Sequence, residues 1–296
     1  MIQVFGLITL IVLVFGALFS VGGGALAALP FELFLICGAA FGILIISNAP
    51  SVAAEALSGF WRVIAGPKWK QPDYVALLVL LHNLTRRARQ KGLVAIEQDI
   101  EKPGETAAFQ AAPRILETEM ARDLICDTFR LMALDLSDSR RAEATMEQRI
   151  EAHTDARFRA VSALQMIADA LPALGIVAAV IGIIRAMGVI DQSPTIIGGM
   201  IAAALLGTFL GVFLAYGIVG PVATRFGQIV EEEEAFFNVI GVVLSAYAAG
   251  MSPLAAVELG RAASPSALRP DPDSVLRSIQ AARFQATKAS RAVKVA

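Results

Sequence analysis

Crossing a lipid bilayer takes about 20 mostly apolar residues in a row, and this chain has four such stretches. They cover residues 2–19, 33–48 (extended backwards by Pro30 and Phe31), 171–190 and about 196–219. Composition agrees with them. Of 296 residues, 56% are hydrophobic and 17% charged, whereas about a quarter of a soluble domain is charged. Lys and Arg number 25 against 26 Asp and Glu, leaving a net charge of −1. That balance excludes a nucleic-acid reader driven by a strongly basic face. Cys37 and Cys126 lie far apart, so they make neither a disulfide framework nor a CxxC site.

A cleaved signal peptide is the competing reading of the first stretch, because Ala25-Leu26-Ala27 looks like a small-residue cleavage site. Such a leader opens on basic residues, and here no Lys or Arg precedes Arg62. Basic residues also set the orientation. The links 20–31 and 191–195 contain none, whereas the long link carries Arg62, Lys68 and Lys70 at one end and Arg149, Arg157 and Arg159 at the other. Positive residues near span ends stay inside the cell. Both termini are therefore expected in the cytoplasm. The chain divides into residues 1–50 (spans one and two with a short periplasmic loop), 51–168 (a cytoplasmic helical domain), 169–222 (spans three and four) and 223–296 (cytoplasmic helices and tail). The expected fold is an all-α integral membrane protein with four transmembrane helices, a large helical cytoplasmic loop and a helical C-terminal tail.

In the cytoplasmic parts, Tyr74, Leu77, Leu78, Leu81 and Leu84 form an apolar stripe at helical spacing after Pro72. A second helix follows Gly92 through Ile96 and Ile100 to the breaker Pro103-Gly104. A third and longer pattern spans residues 113–161. Residues 264–273 read as a linker, and Ser274 as the cap of a last short helix.

Within the membrane stretches, Ala203, Gly207, Gly211 and Ala215 recur at intervals of four, as do Ala178, Gly182 and Ala186. Small residues one turn apart make a flat face on which another backbone packs closely. Gly38 and Gly42 give the second stretch a weaker version. Thr208 is the one hydroxyl in the middle of the fourth stretch; bonding back to a carbonyl one turn earlier is its ordinary role. Pro172 is expected to open the third span and Pro221 to close the fourth, at matching depth, as at a hinge or gate.

No Asp, Glu, His or Lys falls near the middle of any stretch. Glu32 and Asp191 sit at outer edges, and Arg185 is close enough to an end to snorkel. An ion pathway ordinarily shows an intramembrane ionisable group, so such a group is expected from another chain. The sequence contains no phosphate loop, HExxH or GxSxG, and His82 and His153 are isolated. Neither an enzyme nor a bound metal or organic cofactor is expected.

Five stretches together resemble the MotA family, the four-span stator subunits of the bacterial flagellar motor. They are residues 89–101 (RQKGLVAIEQDIE), 171–180 (LPALGIVAAV), 207–211 (GTFLG), 215–217 (AYG) and 256–261 (AVELGR). The resemblance covers essentially the whole chain. It implies that Arg89 and Glu97 meet charged groups of the rotor's switch-complex protein. From the residues alone, the same pair reads as a solvated charged face. The basic patch departs from the family in having Arg86 and Arg87 beside Arg89. The resemblance further implies that Pro172 and Pro221 couple ion passage to cytoplasmic movement, and that Thr208, Ala179 and Tyr216 line the ion route. Its implied partner is a MotB-type single-span subunit that grips peptidoglycan and supplies the missing aspartate. Several copies, a pentamer, would surround a pair of partners in the lipid of the inner membrane. Sodium-driven relatives tend to have threonine where this chain has Ala179, which implies protons as the coupling ion. The alternatives are an ExbB- or TolQ-like energiser of envelope processes and a self-contained channel or transporter.

Overall fold

The structure is a computed structural model and describes residues 2–20, 27–134 and 139–295. The first two residues of the cleavage-like sequence, Ala25 and Leu26, lie outside them. Every regular element among the described residues is helical. The chain forms two compact units, Met1–Gly66 with Asp155–Val230, and Pro67–Thr154 with Glu231–Ala296.

Among the described residues, three helices are long and apolar enough to cross a membrane: Leu29–Ser47, Arg140–Met187 and Pro194–Ala248. Four had been expected. The first stretch forms the helix Ile2–Ser20, but its described apolar part, Phe5–Phe19, is shorter than the other three. A helix that the sequence reading missed, Pro50–Ala65, buries Ala53, Ala56, Gly59 and Val63 along one face. Its Glu55 pairs with Arg157 at 2.8 Å.

The two proline expectations are corrected. Pro172 does not open a helix; it lies inside Ser139–Met187, 49 residues long. The reason is visible just before it, where Ala160, Ala163, Leu164, Ile167, Ala168 and Leu171 are all buried. Their three- and four-residue spacing carries one apolar face up to the proline. Pro221 does not end its helix either. Pro194–Phe213 runs into a π-helical segment, Leu214–Val219, and then into Gly220–Ala248. A proline inside a helix loses a hydrogen bond and presses on the carbonyl four residues back, here that of Gly217. The wider π turn containing Gly217 shifts the bonding pattern by one residue and makes room for the ring.

The second unit is built on Gln71–Lys91, whose predicted stripe (Tyr74, Leu77, Leu78, Leu81 and Leu84) is buried as expected. The helix ends at Gly92, where φ is +79°. Trp69 stacks on Phe236 with ring centres 3.8 Å apart, and Tyr74 meets Phe236 edge-on at 5.1 Å. The long pattern over 113–161 is not one helix but Pro113–Leu116, Glu119–Leu134 and the start of Ser139–Met187. Gly260 explains its own motif, since a Cβ there would run into Val243 Cγ2 of the neighbouring helix. The last helix, Pro272–Val295, is longer than expected. Asp271 rather than Ser274 caps it, because the Ser274 N–H donates to Asp271 Oδ2 at 3.2 Å.

Candidate functional site

Helices Ser139–Met187 and Pro194–Phe213 approach backbone to backbone. A Cβ added to Gly175 would stand 2.9 Å from the Gly207 carbonyl oxygen and 3.0 Å from Gly211 Cα. One on Gly211 would meet the Leu171 carbonyl oxygen at 2.6 Å, and one on Gly182 would meet Ala204 Cβ at 2.7 Å. Gly207 faces Ala178, with a built Cβ 3.2 Å from the alanine methyl. Gly182, Gly207 and Gly211 thus form a seam with no room for side chains, and Ala178 and Ala215 are buried. Ala203 is only half-buried; its neighbour Ala204 takes the place facing Gly182. Gly38 and Gly42 have nothing within 4 Å of a built Cβ, so they make no close packing within this chain.

Thr208 lies beside the seam, its Cα 3.3 Å from the position of a Cβ on Gly175. Thr9, Thr85, Thr128 and Thr224 each donate to the carbonyl four residues back, at 2.9, 2.7, 2.6 and 3.0 Å. Thr208 does not: among the described residues its hydroxyl has no partner. Ala179 is buried, whereas Tyr216 is 70% exposed and sits within the π segment. Helix Ile2–Ser20 flanks that segment, with Phe15 edge-on to Phe213 at 5.7 Å. The sequence reading missed the π segment and the burial of Glu32. That residue sits at the end of its stretch, in the first turn of Leu29–Ser47, but is buried there with its carboxyl group against Gly207. The register between two different helices decides this, and single-stretch periodicity does not carry it.

The three arginines of the basic run in the second unit have different surroundings. Arg87 pairs with the buried Asp99 at 2.6 Å and donates to the Ala95 carbonyl at 2.7 Å. Burial pushes the Asp99 carboxyl up, and Arg87 opposes that shift. Arg86 is pushed down by burial and by the neighbouring charges of Arg283 and Arg87. Arg89 is exposed, but its Nη1 donates to the carbonyls of Gly250 at 3.1 Å and Met251 at 2.6 Å. Glu97 is exposed at the rim of a cleft of about 860 Å³ lined by Leu93, Val94, Ile100, Met132 and Tyr247. Arg130 pairs with Glu101 at 2.8 Å on the same rim.

Residues 4–92 match the family described as Motility protein A N-terminal, and residues 109–238 the MotA/TolQ/ExbB proton channel family. Motility protein A of Escherichia coli K12 is 36% identical over 272 residues, 91% of this chain and 92% of that protein. The chain belongs to the motility protein A family. As a MotA-family protein it is a flagellar stator subunit. Chemotaxis protein LafT of Vibrio parahaemolyticus is 37% identical over 258 residues, 86% of this chain and 90% of that protein. The fold is also that of MotAB from C. jejuni, with a TM-score of 0.70 and 19% identity over 89% of this chain and 95% of that one.

Proposed function

We propose that this MotA-family chain combines with a MotB-type single-span subunit to form a proton-conducting complex that turns ion flow into torque on the flagellar rotor. The observation that carries the reading is the glycine seam at Gly175, Gly207 and Gly211, with the unpartnered hydroxyl of Thr208 beside it. A hydroxyl without a bond in apolar surroundings costs free energy, and on this reading a passing proton or hydrated ion supplies the partner. On this reading Thr208, Ala179 and Tyr216 line the route, and the partner's aspartate carries the proton. Binding and loss of that proton change a charge next to the seam, and Pro172 and Pro221 pass the resulting movement to the second unit.

The family likeness favours several copies of this chain, a pentamer around a partner pair, held in the inner membrane by their apolar helices with both termini in the cytoplasm. Exposed Phe34, Phe41 and Ile46 suit contact with lipid. Arg89 and Glu97 would then meet the rotor's switch-complex protein. One elementary charge crossing 100 mV delivers about 2.3 kcal/mol, so each step works against a few weak charge contacts that form and break repeatedly. An ExbB- or TolQ-like energiser is the alternative compatible with the 109–238 match; the motility match over 4–92 favours the stator.

The test is a deletion strain complemented with this chain and its single-span partner. Swimming restored in sodium-free medium, with the partner co-purifying, is the expected result. Swimming that requires sodium overturns the proton assignment, and swimming undiminished by the deletion overturns the stator role.

A further inference from the structure

Glu32 is only the fourth residue of its helix, yet it lies deep against the neighbouring one. Gly207, which its carboxyl group abuts, is thirteen residues beyond Pro194, or about 20 Å along that helix at 1.5 Å per residue. The side chain is 5% exposed, and Oε2 is enclosed without a hydrogen-bond partner. A Cβ on Gly207 would stand 2.9 Å from Oε2, so the missing side chain at Gly207 is what makes the recess. Ala178 lies against the same glycine. The Glu32 N–H is already spent on the Ala28 carbonyl at 3.1 Å.

The charged form of this carboxyl group has no counter-ion in contact. Helix Pro194–Phe213 carries no charged residue, and Ile2–Ser20 carries none. On Ser139–Met187 the nearest charge is Arg185, whose guanidinium lies over the Phe31 ring at 4.7 Å. Among the described residues, no ion pair joins Arg185 to Glu32. A structural carboxylate would be paired or hydrogen-bonded; Glu32 Oε2 has no hydrogen bond, and Arg185 acts on the group only from a distance. Acidic side chains at such positions mark proton relays.

We propose that Glu32 is a protonatable station of this chain's own, taking up and releasing a proton of the transported flow from the Gly207 recess next to Thr208. The inference rests on the proton route proposed above and adds to it an acid that the partner does not supply. The proton moves between the Glu32 carboxyl oxygen and water or the next acid on the route, and no other bond changes.

The experiment uses the complete complex with the single-span partner, reconstituted in liposomes, and compares the parent with Glu32→Gln and Glu32→Asp. Gln keeps the size and removes proton exchange. Flux in Glu32→Gln is expected to fall by about tenfold or more, within what a positioned proton-transfer group contributes. Asp is expected to retain part of the flux with a displaced pH profile. The parental infrared difference spectrum is expected to contain a pH-dependent carboxyl band that moves in Glu32→Asp. Parental flux and pH profile in Glu32→Gln overturn the proposal. So does a parental spectrum lacking that band, a result that holds whether or not the Gln variant assembles. A parental complex that carries sodium and not protons overturns the route itself, whereas proton flux that survives Glu32→Gln unchanged overturns this station alone.

Discussion

Arg89 Nη1 donates to the Met251 carbonyl oxygen at 2.6 Å, across 162 residues of sequence. Gly250 at φ +88° ends the helix Gly220–Ala248, and the Met251 N–H bonds back to Ala246. The carbonyls just beyond such an end are left without helical partners, and Arg89 satisfies two of them. Arg89, which the proposed function turns towards the rotor, is thus also a structural tie. Arg89→Ala is expected to lower unfolding stability by about 1 kcal/mol, an exposed charged hydrogen bond being worth less than a buried one. Glu97→Gln, at an exposed rim position, is expected to leave it unchanged. Denaturant midpoints of the purified variants decide this, and equal midpoints for Arg89→Ala and the parent would sink the tie.

The seam predicts a sharp difference between glycines that look alike in the sequence. Gly211→Ala places a methyl 2.6 Å from the Leu171 carbonyl oxygen, so the two backbones must separate. Overpacking of this kind costs about 1–3 kcal/mol. Gly38→Ala meets nothing within 4 Å and is expected to leave the melting temperature of the isolated chain unmoved. Similar losses in both variants would argue against the seam.

What the sequence made legible follows the range of each signal. Helical spacing is local, so the Tyr74–Leu84 stripe and the small-residue face of the fourth stretch were readable. Helix ends were less so. The reading stopped helices at Pro172 and Pro221, because a proline alone signals a boundary, whereas the flanking apolar face and a π turn together let the helix continue. Cross-helix register was not readable at all. Ala204 rather than Ala203 faces Gly182, and Glu32 lies level with Gly207, because those placements depend on how two helices slide past each other. The second role of Arg89 was hidden for the same reason, its acceptors being Gly250 and Met251.

His82 supplies a pH dependence with a definite sign. Burial and then the charge of Arg86 push its imidazole below the ordinary 6.5; Arg283, on the facing helix, acts in the same direction. The folded chain therefore binds fewer protons than the unfolded chain once the pH falls below about 6.5. Stability rises with pH wherever the unfolded state binds more protons. The contribution is present in full above that value and is lost as the pH falls from it to the lowered value of the folded chain. Melting temperatures between pH 7 and pH 5 are expected to drop more steeply for the parent than for His82→Gln. Parallel curves would show that the ring does not titrate on unfolding.

Pro172 and Pro221 bring stability and function into opposition. Each lies in a continuous helical run, where a proline costs about 3 kcal/mol relative to alanine, less whatever the π turn recovers at Pro221. Alanine restores the N–H and lets the helix bond regularly, so Pro172→Ala and Pro221→Ala are expected to melt at higher temperature than the parent. If the prolines are where movement at the seam bends the helix, the same variants are expected to assemble with the partner and yet fail to swim. Thermal melting of the purified complex and swimming of the complemented deletion strain measure the two halves separately. A Pro221→Ala protein that is more stable and swims normally would leave the helix argument standing and remove the coupling role; one that is less stable would remove the helix argument itself.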